Sequence, residues 1–173
     1  PSKSNKSFYI GDIPWATVRD MRFDIINETE FKISKEAAQN SATNIIEKGN
    51  VIIATRVGLG KVCILEKDTA INQDLKGIIP KHKNEIDKLY LFHWLKSIAP
   101  EIIKNGTGAT VQGVKIPFIE SLNIPLPPLS EQKRIVAILD EAFAAIDKAK
   151  ANAEKNLANA KELFESYLNG IFA

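Results

Sequence analysis

The stretch Pro125-Leu126-Pro127-Pro128-Leu129-Ser130-Glu131-Gln132-Lys133-Arg134-Ile135 divides the chain. Its prolines lock φ and bias each preceding residue away from the helical region, so the backbone is extended as far as Pro128. Ser130 then offers a hydroxyl to a free N–H of a first helical turn, as an N-cap does. Beyond it there is no proline, and no glycine before Gly170. The stretch therefore reads as a boundary between a domain, residues 1–129, and one long helix, residues 130–173. A helix from Glu131 to about Asn169 has roughly 39 residues and spans roughly 58 Å. The preceding globule is too small to cover that length, so part of the helix must project or pack on another chain.

The apolar spacing supports a partner. Ile135, Leu139, Ala142, Ile146, Ala149 and Ala153 step by 4, 3, 4, 3 and 4, which is heptad spacing. From Ala149 the seam passes through Ala153, Leu157, Ala160, Phe164, Leu168 and Ile171 in steps of 4, 4, 3, 4, 4 and 3. That eleven-residue pattern straightens a supercoil or reverses its hand, and it rotates Asn156 out of the seam. The many alanines let a second helix approach closely. The alternative is a helix folded back on its own domain.

Upstream, Gly49-Asn50 punctuates the chain before Val51-Ile52-Ile53-Ala54-Thr55, a short β-branched run that reads as a buried strand. Arg56 to Lys61 reads as a turn, and Val62 to Leu65 as the returning strand of a hairpin. Ile78-Ile79 closes another strand before Pro80. Leu91, Leu95, Ile98 and Ile102 form one helical stripe within residues 85–104, with a break expected near Ala99 because of Pro100, and a stop at Asn105-Gly106. Thr107 to Gly113 is small and polar, a loop. Phe118 to Ile124 holds a short helix or strand. Trp15, in the run Ile13 to Val18, reads as a packing residue.

Composition bounds the function. The 173 residues carry a formal net charge of +2, too small to argue nucleic-acid binding from the average field. Residues 130–173 hold six basic and seven acidic residues of the 23 and 21, leaving 17 and 14 in the first part. Any phosphate-binding surface must come from local clustering. No apolar run approaches the roughly 20 residues that span a bilayer, and no signal peptide is visible, so a soluble protein is expected. The chain starts at Pro1 rather than Met, as in a trimmed chain or the rear part of a longer protein. The single cysteine, Cys63, lies in an apolar run and reads as a buried thiol, consistent with a reducing cytoplasm.

Catalytic patterns do not assemble. Gly58-Leu59-Gly60-Lys61 lacks the upstream glycine and the following Ser/Thr of a phosphate-binding loop. Neither a dinucleotide fingerprint nor the Gly-rich loop and Asn/Asp-Pro-Pro-Tyr/Phe motif of a methyltransferase is present. With two histidines and one cysteine, no zinc-ligand spacing or nucleophile–base arrangement stands out. Asp12 with Glu30-Phe31-Lys32 has the rough spacing of a metal-dependent nuclease, but Glu-x-Lys arises by chance in a chain one quarter charged. The residues by themselves point to a non-catalytic domain with an assembly helix.

Three segments in order carry a resemblance. Lys48-Gly49-Asn50-Val51-Ile52-Ile53-Ala54-Thr55-Arg56-Val57-Gly58-Leu59-Gly60-Lys61-Val62 is similar to a Gly-Asp-(apolar run)-Ser-Arg-x-Gly-x-x-Gly stretch, with Asn50 for Asp and Thr55 for Ser. Ile71-Asn72-Gln73-Asp74-Leu75 is similar to an Asn-Gln-Asp/His signature, and Ile124 to Asp140 to the junction of a recognition domain with a long helix. Trp15 and the segment Gly106 to Lys115 also fit. Together they resemble the specificity subunits of Type I restriction–modification systems, HsdS.

The resemblance implies an α+β fold: a mixed, twisted β-sheet recognition domain with short helices, then a long C-terminal helix in an antiparallel coiled coil. It implies a non-enzyme that reads one half of a split double-stranded DNA target. Methylation (HsdM-type) and restriction (HsdR-type) subunits would dock on it, and S-adenosylmethionine, ATP and Mg²⁺ would belong to those partners. A full specificity subunit has two recognition domains and two helices, so this chain corresponds to a half-subunit or a fragment, completed by a second copy or a second half.

Base edges are read by Arg, Lys, Asn and Gln, and phosphates are held by Lys, Arg, Ser, Thr and backbone N–H groups. The expected contacts are Arg56 and Lys61 in one loop, then Asn105, Thr107, Thr110, Gln112 and Lys115 in another, with Lys32 and Lys35 ranked behind. Gln73 and Asp74 are expected to fix a turn. The competing reading is a helical scaffold protein that binds no DNA.

Overall fold

The computed structural model describes residues 1, 5–82, 84–108 and 110–172. By its internal contacts the chain divides into two compact units, Pro1–Gln132 and Lys133–Ala173.

The first unit is built on two four-stranded sheets. One has the order β3-β1-β7-β4, from Phe31–Ile33, Ile13–Ala16, Thr69–Ile71 and Asn44–Ile46. The other has the order β2-β6-β5-β8, from Ile25–Ile26, Val62–Leu65, Val51–Ala54 and Leu75–Ile78. Each is mixed: β1 runs parallel to β7, and β2 parallel to β6, while the remaining pairs are antiparallel. The α+β expectation holds, with the single expected sheet resolved into two.

Strand β5 explains the arrangement. All four of its side chains are apolar and fully buried. It pairs with β6 on one edge, Ile52 opposite Cys63, and with β8 on the other, Ile52 opposite Gly77. Side chains alternate across a strand, so its two faces need two covers. Ile52 and Ala54 join Leu65, Leu75 and Cys63 with Ala16, Ile46 and Ile71 of the first sheet in one core. Helix α2, Lys88–Ser97, packs against β5 and β6 and buries Tyr90, Leu91, Phe92 and Leu95. On the first sheet, Trp15, Ile33, Ala37 and Ala70 form a second core with Phe8 and Tyr9. Ala37 comes from α1, Lys35–Gln39, which Ser34 caps.

The expected hairpin and the break at Pro100 are both present. Helix α2 ends at Ser97, and α3, Ala99–Lys104, begins with Pro100 in its first turn, where the missing N–H costs nothing. Residues 118–120 lie in a short helix α4, Ile116–Glu120.

The last helix, α5, runs from Leu129 to Phe172, 44 residues. It starts earlier than expected. The Pro128 carbonyl accepts from Glu131 N and Gln132 N at 2.9 and 3.0 Å, so Ser130 lies inside the first turn rather than at the cap. It also passes Gly170, around which nothing lies close enough to impose a stop.

That first turn is anchored by Gln132, which is fully buried. Its Oε1 accepts from Asp87 N at 2.8 Å, and its Nε2 donates to Glu85 O at 2.9 Å and Pro127 O at 2.8 Å. Tyr90 donates its hydroxyl to Pro125 O at 3.0 Å. The start of α5 and the proline segment are thereby tied to the start of α2. A buried group stripped of its partner costs more than the bond itself contributes. Gln132→Ala is therefore expected to lower the unfolding free energy by about 2–4 kcal/mol, against under about 0.5 kcal/mol for the exposed Gln112→Ala. Urea titration of the two variants checks this.

Candidate nucleic-acid interface

Strand β5 leads directly into Thr55-Arg56, and three segments meet there. The buried Thr55 donates its N–H (2.8 Å) and its hydroxyl (3.2 Å) to the carbonyl of Asp74, which also accepts from Arg56 N at 3.4 Å. The Thr55 carbonyl accepts from Val114 N at 2.9 Å. Arg56 bridges to Gly113, and Gly113 pairs with Thr107 through two bonds of 2.9 Å. A side chain at Gly113 would meet Arg56 Cγ at 2.9 Å and Thr55 O at 3.0 Å, so only glycine admits the arginine stem here. The Arg56 turn, Thr107, Gly113 and Val114, and the Asn72–Asp74 turn thus form one surface.

Its charge is arranged locally. Arg56 is half exposed, and its Nη1 lies 3.7 Å from Asp74 Oδ1. The turn that follows is left-handed at Gly58 and Gly60 (φ 77° and 86°), and Val57 also has a positive φ of 27°. A β-branched residue there is strained and is held by its surroundings. Beside it lies a cleft of about 320 Å³, lined by Trp15, Thr17, Arg19, Phe31, Val57 and the Asn72–Asp74 turn. Thr17 and Asp20 form a capping box around Arg19, with Thr17 N donating to Asp20 Oδ2 at 2.7 Å. Arg19 is exposed and lies 3.6 Å from Glu30. Trp15 is buried, in edge contact with Tyr9 and tilted against Phe31, and its indole N–H has no partner among the described residues.

The sequence-predicted residues do not all gather. Arg56, Thr107 and Gln112 share the surface, and Thr110 and Lys115 are exposed on the same loop. Asn105 instead closes α3, donating its Nδ2 to Glu101 O at 2.9 Å. Lys61 turns to the other side of its hairpin, its Nζ donating to Met21 O at 3.3 Å, in a cleft shared with Arg22, Asp24, Cys63 and Lys96. Lys32 lies on the solvent face of β3, in a groove with Asp12, Glu28 and Lys67, and Lys35 opens α1. Arg19 and Thr17 were missed. Nothing local marks them, because they reach the surface through the sheet that pairs β1 with β7.

The turn assigned to Gln73 and Asp74 is made by its outer residues. Asn72 Nδ2 donates to Asp74 Oδ2 at 3.1 Å, and Asp74 N donates to Asn72 Oδ1 at 3.2 Å. Gln73 is exposed. Glu30 lies against Arg19, and among the described residues no group of three His, Cys, Asp or Glu is placed to hold a metal ion. No helix of the described residues is long and apolar enough to cross a membrane.

A family model, the Type I restriction modification DNA specificity domain, matches residues 1–156. The chain belongs to that family. It is 29% identical over 180 aligned positions to the EcoR124I/EcoR124II specificity subunit of Escherichia coli, covering all of this chain and 44% of that protein. It is 28% identical to the MjaIX specificity subunit of Methanocaldococcus jannaschii, covering 96% of this chain and 39% of that one. The chain therefore spans under half the length of these two relatives. Its fold is similar to that of a chain from a structure on complex assembly and conformational transition of the type I R-M system, with a TM-score of 0.71, 24% identity, and coverage of 92% of this chain and 38% of that one.

Cys63 gives this unit a pH signature. Its thiol is buried and donates to Phe23 O at 3.0 Å. Burial first, and Asp24 second, push it from 9.0 up to about 12, against the opposing pull of Lys61 and Lys96. A raised pKa means that the fold favours the protonated thiol. That contribution is fully present below pH 9 and is lost as pH rises toward 12. Stability is expected to fall across that window by up to about 1.4 kcal/mol per pH unit more in the parent than in Cys63→Ala, as read by denaturation at pH 8.5 to 11.

Proposed function

We propose that this chain is a non-catalytic DNA-specificity component that reads one half of a bipartite target. The observation that carries the reading is the convergence of Arg56 and Thr107 on Gly113, with Gln112 exposed beside it, in a chain of the specificity family. Backbone-to-backbone bonds hold this surface rigid, which suits side chains that must meet base edges without reordering. Arg56 supplies the guanidinium that pairs with guanine, Gln112 an amide, and Thr110 and Lys115 positioning contacts to phosphate. Lys61, Lys32, Lys35 and Asn105 serve as peripheral groups at most, given where their side chains sit.

The second unit is a helix on which every described residue from 140 to 172 is exposed. Ile146, Leu157 and Phe164 are each about 60% exposed, at 59%, 59% and 64%. An apolar seam of this length left in water is unfavourable, and a second helix covers it best. The partner is the same helix from a second copy, or the second helix of a longer specificity subunit, packed antiparallel as a coiled coil. The pair acts as a spacer between two half-sites, and methylation and restriction subunits dock in the cytoplasm to modify and cleave.

Co-expression with the cognate methylation subunit, followed by mapping of genomic methylation, tests the reading. A split motif is expected: symmetric if two copies pair, asymmetric if a different second half is supplied. In the assembled complex, Arg56→Ala is expected to weaken target binding by about 1–3 kcal/mol and to relax discrimination at one position, measured by fluorescence anisotropy at fixed salt. Leu157→Asp is expected to shift the purified chain from dimer toward monomer in sedimentation equilibrium.

A further inference from the structure

The turn between β7 and β8 has one side chain with no structural employment. Asn72 and Asp74 bind each other, Asn72 N donates to Ala16 O at 3.1 Å, and Leu75 N donates to Asn72 O at 3.2 Å. The Asp74 carbonyl takes the end of β5. The turn is thus held from both sides. Gln73, at its tip, is exposed, and its amide makes no hydrogen bond among the described residues. A rigid turn therefore presents a free carboxamide at the rim of the cleft lined by Trp15, Phe31 and Arg19.

The neighbouring charges decide what the amide can meet. Asp74 would repel a nucleic-acid backbone, but Arg56 lies 3.7 Å from one of its oxygens and Asn72 binds the other. Arg19, on the same cleft and 3.6 Å from the carboxylate of Glu30, adds a second exposed guanidinium. Arg19 on the cleft and Arg56 against Asp74 are thus two exposed cations near the turn that can take phosphates, and the surroundings admit a polyanion. A carboxamide carries a donor and an acceptor side by side. In the major groove only adenine sets an acceptor, N7, beside a donor, N6–H₂, on one base. Guanine offers two acceptors, cytosine only a donor, and thymine an acceptor beside a methyl group.

Resting on the DNA-recognition reading above, we propose that Gln73 is a base-reading residue that pairs through both amide atoms with one adenine of the half-site. It acts beside Arg56 and extends the reading surface from the 105–115 loop across to the β7–β8 turn.

The test uses the chain assembled with its methylation subunit and a duplex carrying the mapped target. Each adenine is replaced in turn by 7-deazaadenine, which keeps the pairing edge and removes N7. The parent is expected to lose roughly tenfold to a hundredfold in affinity at one adenine. Gln73→Ala is expected to lose a similar factor on the natural duplex, to be indifferent to the replacement at that same adenine, and to keep the parent's salt slope. A selective parent with no sensitive adenine, or one whose sensitivity survives in Gln73→Ala, overturns the assignment alone. So does an equal loss on target and random DNA with a shallower salt slope, which marks a phosphate contact. A parent complex that prefers no duplex overturns the DNA reading and this assignment together.

Discussion

Strand β5 is the constraint on which the first unit depends. Val51, Ile52, Ile53 and Ala54 are fully buried, and both edges of the strand are paired. A strand covered on two faces and two edges requires a layer on each side, and its ends must satisfy their backbone groups within the protein. The first sheet and α2 supply the layers. The far end is satisfied by Asp74 O and Val114 N, which come from chain segments far from Thr55 in sequence. The candidate interface is thus a by-product of closing the core: the groups that cap β5 carry Arg56, Gln73 and Gln112 with them.

This origin explains the character of the surface. Main-chain bonds and the buried or turn-forming side chains of Thr55, Asn72 and Asp74 hold it, so a substitution at an exposed position such as Gln112 changes recognition with little effect on the fold. Gly113 is the exception, since its missing side chain makes room for Arg56. Val57, strained and half exposed at the same rim, is held in place by the turn around it.

The two units use apolar surface in opposite ways. The first packs residues such as Ile33, Ile52 and Leu65 in its interior, whereas the second leaves Ile146, Leu157 and Phe164 in water. At the end of the first unit, the first turn of α5 is fastened by Gln132, whose three hydrogen bonds reach Asp87, Glu85 and Pro127. A buried amide with every bond made specifies one arrangement of the turn, because any other leaves polar groups stranded.

The local elements were legible in the chain alone: the β5–β6 hairpin, the break at Pro100 and the long terminal helix with its change of repeat. Each depends on residues within a few positions of one another, on φ restriction, β-branching or helical spacing. The sequence also carried the resemblance that named the family. Which polar residues meet depends instead on packing between distant segments. Strands as short as Ile25–Ile26 and Thr69–Ile71 exist because β6 and β1 offer them edges, not because of their own propensity. The same long-range pairing brings Arg19 to the cleft, turns Lys61 away from Arg56 toward Met21, and leaves Gln73 free while Asn72 and Asp74 are consumed. Proximity in the chain placed Arg56 and Lys61 together, but they stand at opposite ends of the connection between β5 and β6, and the packing around each end determines that Arg56 meets Asp74 and Lys61 meets Met21.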